Sequence, residues 1–258
     1  MRYLGMLVFF VWIILFSACS KDETCGSQQS ELKLWYKQPA SKWVEALPVG
    51  NGRLGAMVFG KVDSERIQLN EESLWAGTRI NNNNPQAAGH LKEIQKLLLA
   101  GKNTQAVILA KKYLLGTPPR IRSYQTLADL NLAFRYTADS LSGYRRDLDL
   151  SAGISTVRYR IGKTQYTREV FASAPDNSIV VHITTDQPGQ INVDMELSRE
   201  IDANTRFLSE RALLMEGQII DRGEPHRGPP GAHMKFAARL DILQTDGKVT
   251  PENGRLQV

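Results

Sequence analysis

Apolar and polar residues alternate with a period of two along much of the chain from Ile154 onward. Because successive side chains of a β-strand point to opposite faces, this alternation predicts half-buried strands. The clearest example runs from Ile191 to Leu197, and turn residues such as Gln187-Pro188-Gly189 separate the segments. Many antiparallel strands at regular spacing predict a mainly β fold, a sandwich or a barrel.

A helical period occupies the middle of the chain. After Pro85, apolar residues recur at intervals of three and four positions until Gly101, which predicts one amphipathic helix. Asn103 or Thr104 can cap a second helix. We therefore expect a helical hairpin near residues 85–115, inserted into the β fold.

The first residues have the features of an export signal. The apolar run Leu4–Phe16 is too short to span a bilayer comfortably and is typical of a secretory signal. It ends at Ser17-Ala18-Cys19, which resembles the lipobox of bacterial lipoproteins. We expect residues 1–18 to be a lipoprotein signal peptide, Cys19 to be lipidated and residues 19–31 to form a linker. A plain signal peptide that is cut after Ala18 is the alternative.

These features predict the location of the protein. We expect an outer-membrane lipoprotein of a Gram-negative bacterium, in the periplasm or at the cell surface, which meets the membrane through its lipid anchor only. The net charge is +5, but the basic residues are spread out, so we expect no nucleic-acid partner. Two cysteines cannot form a disulfide framework, and four scattered histidines predict no metal site.

The segment Gly50–Gly55 matches the pattern G-x-G-x-x-G. A dinucleotide-binding loop needs a helix after this motif, because the helix N-terminus holds the pyrophosphate. Here β-prone residues follow, and Gly60 interrupts them. We therefore predict no nucleotide site and no cofactor.

Asn70, Glu71, Glu72 and Trp75 are the candidate site residues. Carboxylates beside an aromatic ring are typical of sugar sites, where acids act on the glycosidic oxygen. Adjacent residues of a strand point to opposite faces, however, so both carboxylates can flank one bond only if a turn intervenes. A solvated turn with the Trp packed below it is the alternative.

Two histidines, His226 and His233, lie in a segment rich in proline and glycine. Their spacing fits no common zinc motif, and the composition predicts a loop. This loop either reaches the site of a neighbouring domain or is an ordinary surface loop.

Four ordered blocks of sequence resemble glycoside hydrolase family 95, the bacterial and plant α-L-fucosidases. The first is Leu47-Pro48-Val49-Gly50-Asn51-Gly52-Arg53-Leu54-Gly55-Ala56-Met57-Val58-Phe59-Gly60, and the second is Ile67-Gln68-Leu69-Asn70-Glu71-Glu72-Ser73-Leu74-Trp75-Ala76-Gly77. The others lie within 116–130 and 144–176, with Ala128 where the family usually has Gly. The resemblance implies that residues 32–258 form the supersandwich-like N-terminal β-sandwich domain of such an enzyme.

In that family the inverting chemistry belongs to a later (α/α)₆ barrel, in which a Glu is the general acid and an Asp with Asn partners activates water. No catalytic residue can therefore be assigned in this chain. The resemblance implies a non-catalytic domain that is inactive alone. The turn signal Asn253-Gly254 leads into a predicted strand that includes the last residue, so we expect the domain to be truncated at its C-terminus. Its partners would be the barrel and, through the complete enzyme, fucosylated glycans.

Two alternative functions remain open. One is a free-standing carbohydrate-binding surface lipoprotein, and the other is an α-L-galactosidase of the same family. In the complete enzyme we expect Asn70, Glu71 and Trp75 to lie at the junction of sandwich and barrel, where they support or rim the sugar site.

Overall fold

Antiparallel sheets and a helical hairpin form the fold in a computed structural model that describes residues 32–136, 140–221, 223 and 227–258. The predictions for residues 1–31, including the signal peptide, the lipidated Cys19 and the linker, lie outside these residues, as does His226. Within the described part of the chain, no helix is both long and apolar enough to cross a membrane.

The first sheet has five strands in the order β1-β6-β7-β8-β9, and its neighbouring strands pair antiparallel. They are β1 (Lys33–Tyr36), β6 (Leu141–Asp149), β7 (Ile154–Ile161), β8 (Thr164–Ser173) and β9 (Ser178–Thr185). A 3₁₀ turn, Trp43–Glu45, follows β1.

The second sheet has seven strands in the order β14-β15-β10-β5-β4-β3-β2. They are β2 (Leu47–Gly50), β3 (Leu54–Val58), β4 (Ser64–Glu71), β5 (Ala128–Phe134), β10 (Val193–Ser198), β14 (Thr250–Glu252) and β15 (Arg255–Gln257). A third sheet contains β11 (Ala203–Ser209), β12 (Ala212–Asp221) and β13 (Gly231–Asp241).

One apolar core joins the three sheets. Ile67 and Leu132 of the second sheet, Val170 of the first and Leu213 and Met215 of the third belong to the same buried cluster. Apolar side chains on one face of each strand make this possible, because that face can turn inward while the other remains polar. The predicted mainly β, sandwich-type fold is confirmed.

The helical hairpin is also confirmed, with shifted ends. Helix α1 covers Ala87–Leu99 and α2 covers Asn103–Tyr113. The first helix begins two residues after Pro85, because Asn84 forms a turn by accepting a hydrogen bond from the Gln86 amide. The Asn84 side chain also donates to the carbonyls of Tyr113 and Leu115 at the end of α2, and so closes the hairpin.

The cap prediction for the second helix was wrong. Asn103 is already the first helical residue, and Lys102 precedes it without a capping hydrogen bond from its side chain. The carbonyl of Lys102 accepts the first hydrogen bond of the helix, from the backbone amide of Ala106, as the carbonyl of an N-cap residue does.

Candidate functional site

An open groove of about 460 Å³ lies at the ends of β3 and β4. Backbone and side chains from two turns and from a segment after the helical hairpin line it. The lining residues are Gly52, Arg53, Leu54, Gly55, Asn70, Glu72, Trp75 and Tyr124.

One wall of the groove is the turn between β2 and β3. The Asn51 side chain accepts hydrogen bonds from the amides of Arg53 and Leu54 and donates to the carbonyl of Ser173. Gly52 has a φ of 93°, a conformation that side chains disfavour, so glycine suits this position. The G-x-G-x-x-G segment is therefore a β-hairpin turn that leads into β3, and the helix that a dinucleotide-binding loop requires does not follow it.

The end of β4 forms the floor, and Glu71 fixes its shape. Its carboxylate lies 3.1 Å from Nε of Arg53, and it accepts hydrogen bonds from the amide and the hydroxyl of Ser73 at 2.9 and 2.6 Å. Burial alone would raise the pKa of Glu71, but the Ser73 hydrogen bonds and the Arg53 charge outweigh it and lower the pKa below its ordinary value. Glu71 is therefore an ionised structural group.

Tyr124 joins the far side of the groove to β4. Its hydroxyl oxygen lies 2.7 Å from Oδ1 of Asn70 and 2.7 Å from the carbonyl oxygen of Glu71. Its ring lies 5.0 Å from the ring of Trp75, tilted by 58°, and the two residues form an antiparallel backbone bridge. Because the helical hairpin lies between them in sequence, Trp75 and Tyr124 form the base of that insertion.

The structure brings two of the three main candidates into the groove and separates the third. Asn70 and Trp75 line the groove, whereas Glu71 is engaged by Arg53 and Ser73. Glu71 is the last residue of β4 and Glu72 already lies in the turn, so the carboxylate that lines the groove is that of Glu72. The side chain packed below the turn is Leu74, which is 2% exposed, while Trp75 is 43% exposed.

Sequence reasoning missed two residues of this site, Arg53 and Tyr124. Both lie in the blocks that carry the family resemblance, and this was the only signal that could have found them. Their roles depend on tertiary contacts, since Tyr124 reaches Asn70 across the whole helical insertion.

The segment that contains His233 packs beside this groove. His233 is buried, and its ring nitrogens have no hydrogen-bond partner among the described residues. Nη1 of Arg227 lies 2.9 Å from the hydroxyl of Ser123, the neighbour of Tyr124, and Arg122 forms an ion pair with Asp221. His233 therefore lies in the interior of its own domain. Nowhere in the described ranges do three or more His, Cys, Asp or Glu side chains form a metal-binding group.

Comparisons with known proteins identify the relatives of this domain. Residues 34–258 match the family described as "Glycosyl hydrolase family 65, N-terminal domain". The chain is 36% identical over 241 residues to "Alpha-L-fucosidase 2" of Arabidopsis thaliana, a match that covers 84% of the chain and 27% of the plant protein.

Two fungal proteins are also similar. "Probable alpha-fucosidase A" of Aspergillus niger is 36% identical over 162 residues, covering 59% of the chain and 20% of that protein. The protein of the same name from Aspergillus oryzae is 34% identical over 241 residues, covering 87% and 31%. The chain thus spans between a fifth and a third of the length of these relatives.

Proposed function

Because the chain belongs to the family of glycosyl hydrolase family 65 N-terminal domains, we propose that it is the non-catalytic N-terminal domain of a secreted α-L-fucosidase-like glycoside hydrolase. The observation that carries this proposal is the match over residues 34–258 together with the similarity to α-fucosidases from a plant and two fungi. Membership of family 95, with inverting release of terminal fucose from glycans, is part of the proposal.

The chemistry of the groove supports a non-catalytic role. Inverting hydrolysis needs a general acid and a second carboxylate about 6.5–9.5 Å away that activates water. Among the residues that line the groove, Glu72 is the single acidic one. Neighbouring Glu71 is bound by Arg53 and Ser73, and its lowered pKa keeps it ionised, so it cannot donate a proton at neutral pH.

In the complete enzyme, the groove would meet the barrel. Asn70 and Trp75 would contact the barrel or rim its sugar site, and Glu71 would hold Arg53 and Ser73 in place. An exposed indole next to a carboxylate and an amide suits either a domain interface or the apolar face of a sugar. With Cys19 lipidated, the enzyme would act at the cell surface or in the periplasm.

Two measurements test the proposal. The reading frame beyond codon 258 should encode a helical barrel, and the protein made from the extended frame should release fucose from 2′-fucosyllactose. The chain of residues 20–258 alone should release none. Fucose release by this chain would overturn the non-catalytic assignment. A stop codon after Val258 would instead favour a free-standing carbohydrate-binding lipoprotein.

The preferred sugar needs a separate comparison. α-L-Fucosides and α-L-galactosides differ by one hydroxyl at C6, so both should be offered to the extended protein. Faster hydrolysis of the fucoside would support the proposal, and faster hydrolysis of the galactoside would identify an α-L-galactosidase.

A further inference from the structure

Cationic side chains face each other on the outer face of the five-stranded sheet. Arg145 of β6 and Arg158 of β7 are direct register partners. The alternate residues Arg146, Val157 and Arg168 are buried, so Arg145 and Arg158 point away from the core. Their side chains are 47% and 44% exposed.

The two arginines repel each other, and the one carboxylate between them offsets this repulsion only in part. Like charges directly opposite each other on neighbouring strands repel. Asp147 lies between the two arginines, with Oδ1 3.5 Å from Nε of Arg145 and 3.4 Å from Nη1 of Arg158. A single carboxylate cannot satisfy both guanidinium groups, because together they carry ten N–H donors. Donors therefore remain for an anion from solution.

An exposed indole adjoins this pair. Trp35 of β1 is the register partner of Asp147 and is 51% exposed. The guanidinium of Arg145 lies 5.0 Å from its ring centroid, and Nζ of Lys37 lies 5.9 Å from it. The indole of Trp35 is therefore flanked by two cations, Arg145 and Lys37, while the carboxylate of Asp147 is shared between Arg145 and Arg158.

The row continues across the sheet with hydroxyl groups. Thr167 of β8 is the register partner of Arg158, and Thr184 of β9 is the partner of Thr167. Three strand spacings of about 4.8 Å give the row from Arg145 to Thr184 a length of about 14 Å. This length suits an oligomer better than a single small molecule.

We propose that this outer face, defined by Trp35, Arg145, Arg158, Thr167 and Thr184, binds an acidic oligosaccharide that carries uronate groups. The guanidinium groups match planar carboxylates in two-point contacts, the indole packs on the apolar face of a sugar ring, and the threonines bond to sugar hydroxyls. A strand of nucleic acid would need successive aromatic rings for its bases, whereas this row has one. The choice of a glycan rests in part on the proposed function.

The test is calorimetric titration of the purified chain with pentagalacturonate at low salt. Binding should be measurable and should weaken as salt is added, since exposed charges are screened. Arg158→Gln and Trp35→Ala should each weaken it about tenfold or more, the size expected for loss of a charge-assisted contact or an aromatic anchor. The control Arg206→Gln removes an arginine of similar exposure, 58%, from the third sheet and should leave the affinity unchanged.

Matched ligands make the proposal falsifiable. Maltopentaose, a neutral oligomer, should bind at least about tenfold more weakly, because it lacks the charge-assisted contacts. Equal affinity for a sulfated oligosaccharide without uronates would overturn the carboxylate assignment, and tighter binding of a single-stranded oligonucleotide would overturn the glycan assignment. If Trp35→Ala and Arg158→Gln both keep the affinity and the circular dichroism spectrum of the unaltered chain, this face is not the binding site. None of these results affects the proposed function, which is tested separately by fucose release from the extended protein.

Discussion

Glu65 and Arg168 form a buried ion pair that joins the second sheet to the first. Their side chains are 0% and 1% exposed, and the Glu65 carboxylate also accepts hydrogen bonds from the amides of Phe59 and Gly60. Burial raises the pKa of Glu65 above its ordinary value. The positive charge of Arg168 and the hydrogen bonds from these amides offset this rise only in part. Arg168 also donates to the carbonyl of Lys61, so the pair fixes the turn that leads into β4.

Removing one member of this pair should be costly. Arg168→Met leaves an uncompensated carboxylate in the core, so we expect it to lower the free energy of unfolding by roughly 3–5 kcal/mol in urea denaturation. Arg206→Met serves as the control, because Arg206 pairs with Glu216 on the surface and such pairs contribute about 1 kcal/mol or less. Equal losses in the two variants would contradict the argument.

Glu65 also shows where the sequence could not predict the structure. The alternation of apolar and polar residues from Ile191 to Leu197 predicts a strand, and β10 occupies Val193–Ser198 in the structure. In β4, Glu65 occupies a core-facing position together with Ile67, so a charge interrupts the pattern. Only the packing of β8 against β4 supplies the arginine that makes this charge tolerable.

The candidate site was predictable to a similar extent. The combination of aromatic and polar groups that is typical of sugar sites predicts Trp75 and Asn70, and both line the groove. The charge of Glu71 makes it a candidate in the sequence, but its partners Arg53 and Ser73 are brought to it only by the turn before β3 and the turn after β4. The position of Tyr124 in the groove depends on its backbone pairing with Trp75 across the long helical insertion, and no local sequence pattern specifies this pairing.

The ionisation of Glu71 gives a prediction about pH. Its pKa is lower in the folded state, so its stabilising contacts are complete above its unfolded pKa of about 4.3 and are lost as pH falls through the lower folded pKa. The amide of Ser73, which donates to Glu71 at 2.9 Å, should report this in an NMR titration with a midpoint below the ordinary glutamate value. Glu71→Gln should abolish the titration, and a midpoint above the ordinary value would contradict it.

Lipidation of Cys19 is a separate prediction. With an intact Cys19 the protein should fractionate with membranes, because several acyl chains together hold a protein firmly where one alone is marginal. Cys19→Ala should move it to the soluble fraction. Cys25→Ala is the matched control, since it removes the other cysteine and leaves the lipobox intact. Unchanged membrane association of Cys19→Ala would show that the anchor has another origin.

Trp75 and Leu74 are adjacent residues with opposite environments, and this difference separates a core role from an interface role. Leu74 belongs to the main buried cluster and is 2% exposed, whereas Trp75 lies in the groove and is 43% exposed. Trp75 packs against the ring of Tyr124, and its removal would cost this contact. Aromatic pairs of this kind contribute about 0.5–1.5 kcal/mol beyond their buried area.

We therefore expect Leu74→Ala to lower the free energy of unfolding of the chain by about 2–5 kcal/mol, while Trp75→Ala costs clearly less than the 3–5 kcal/mol typical of a buried tryptophan. In the extended protein, Trp75→Ala should nevertheless lower fucosidase kcat/KM per folded molecule, because a contact at the domain junction positions the substrate or a catalytic loop. Urea denaturation measures the first effect and initial rates on 2′-fucosyllactose measure the second. A large loss of stability with unchanged activity per folded molecule would place Trp75 in the core and remove it from the junction.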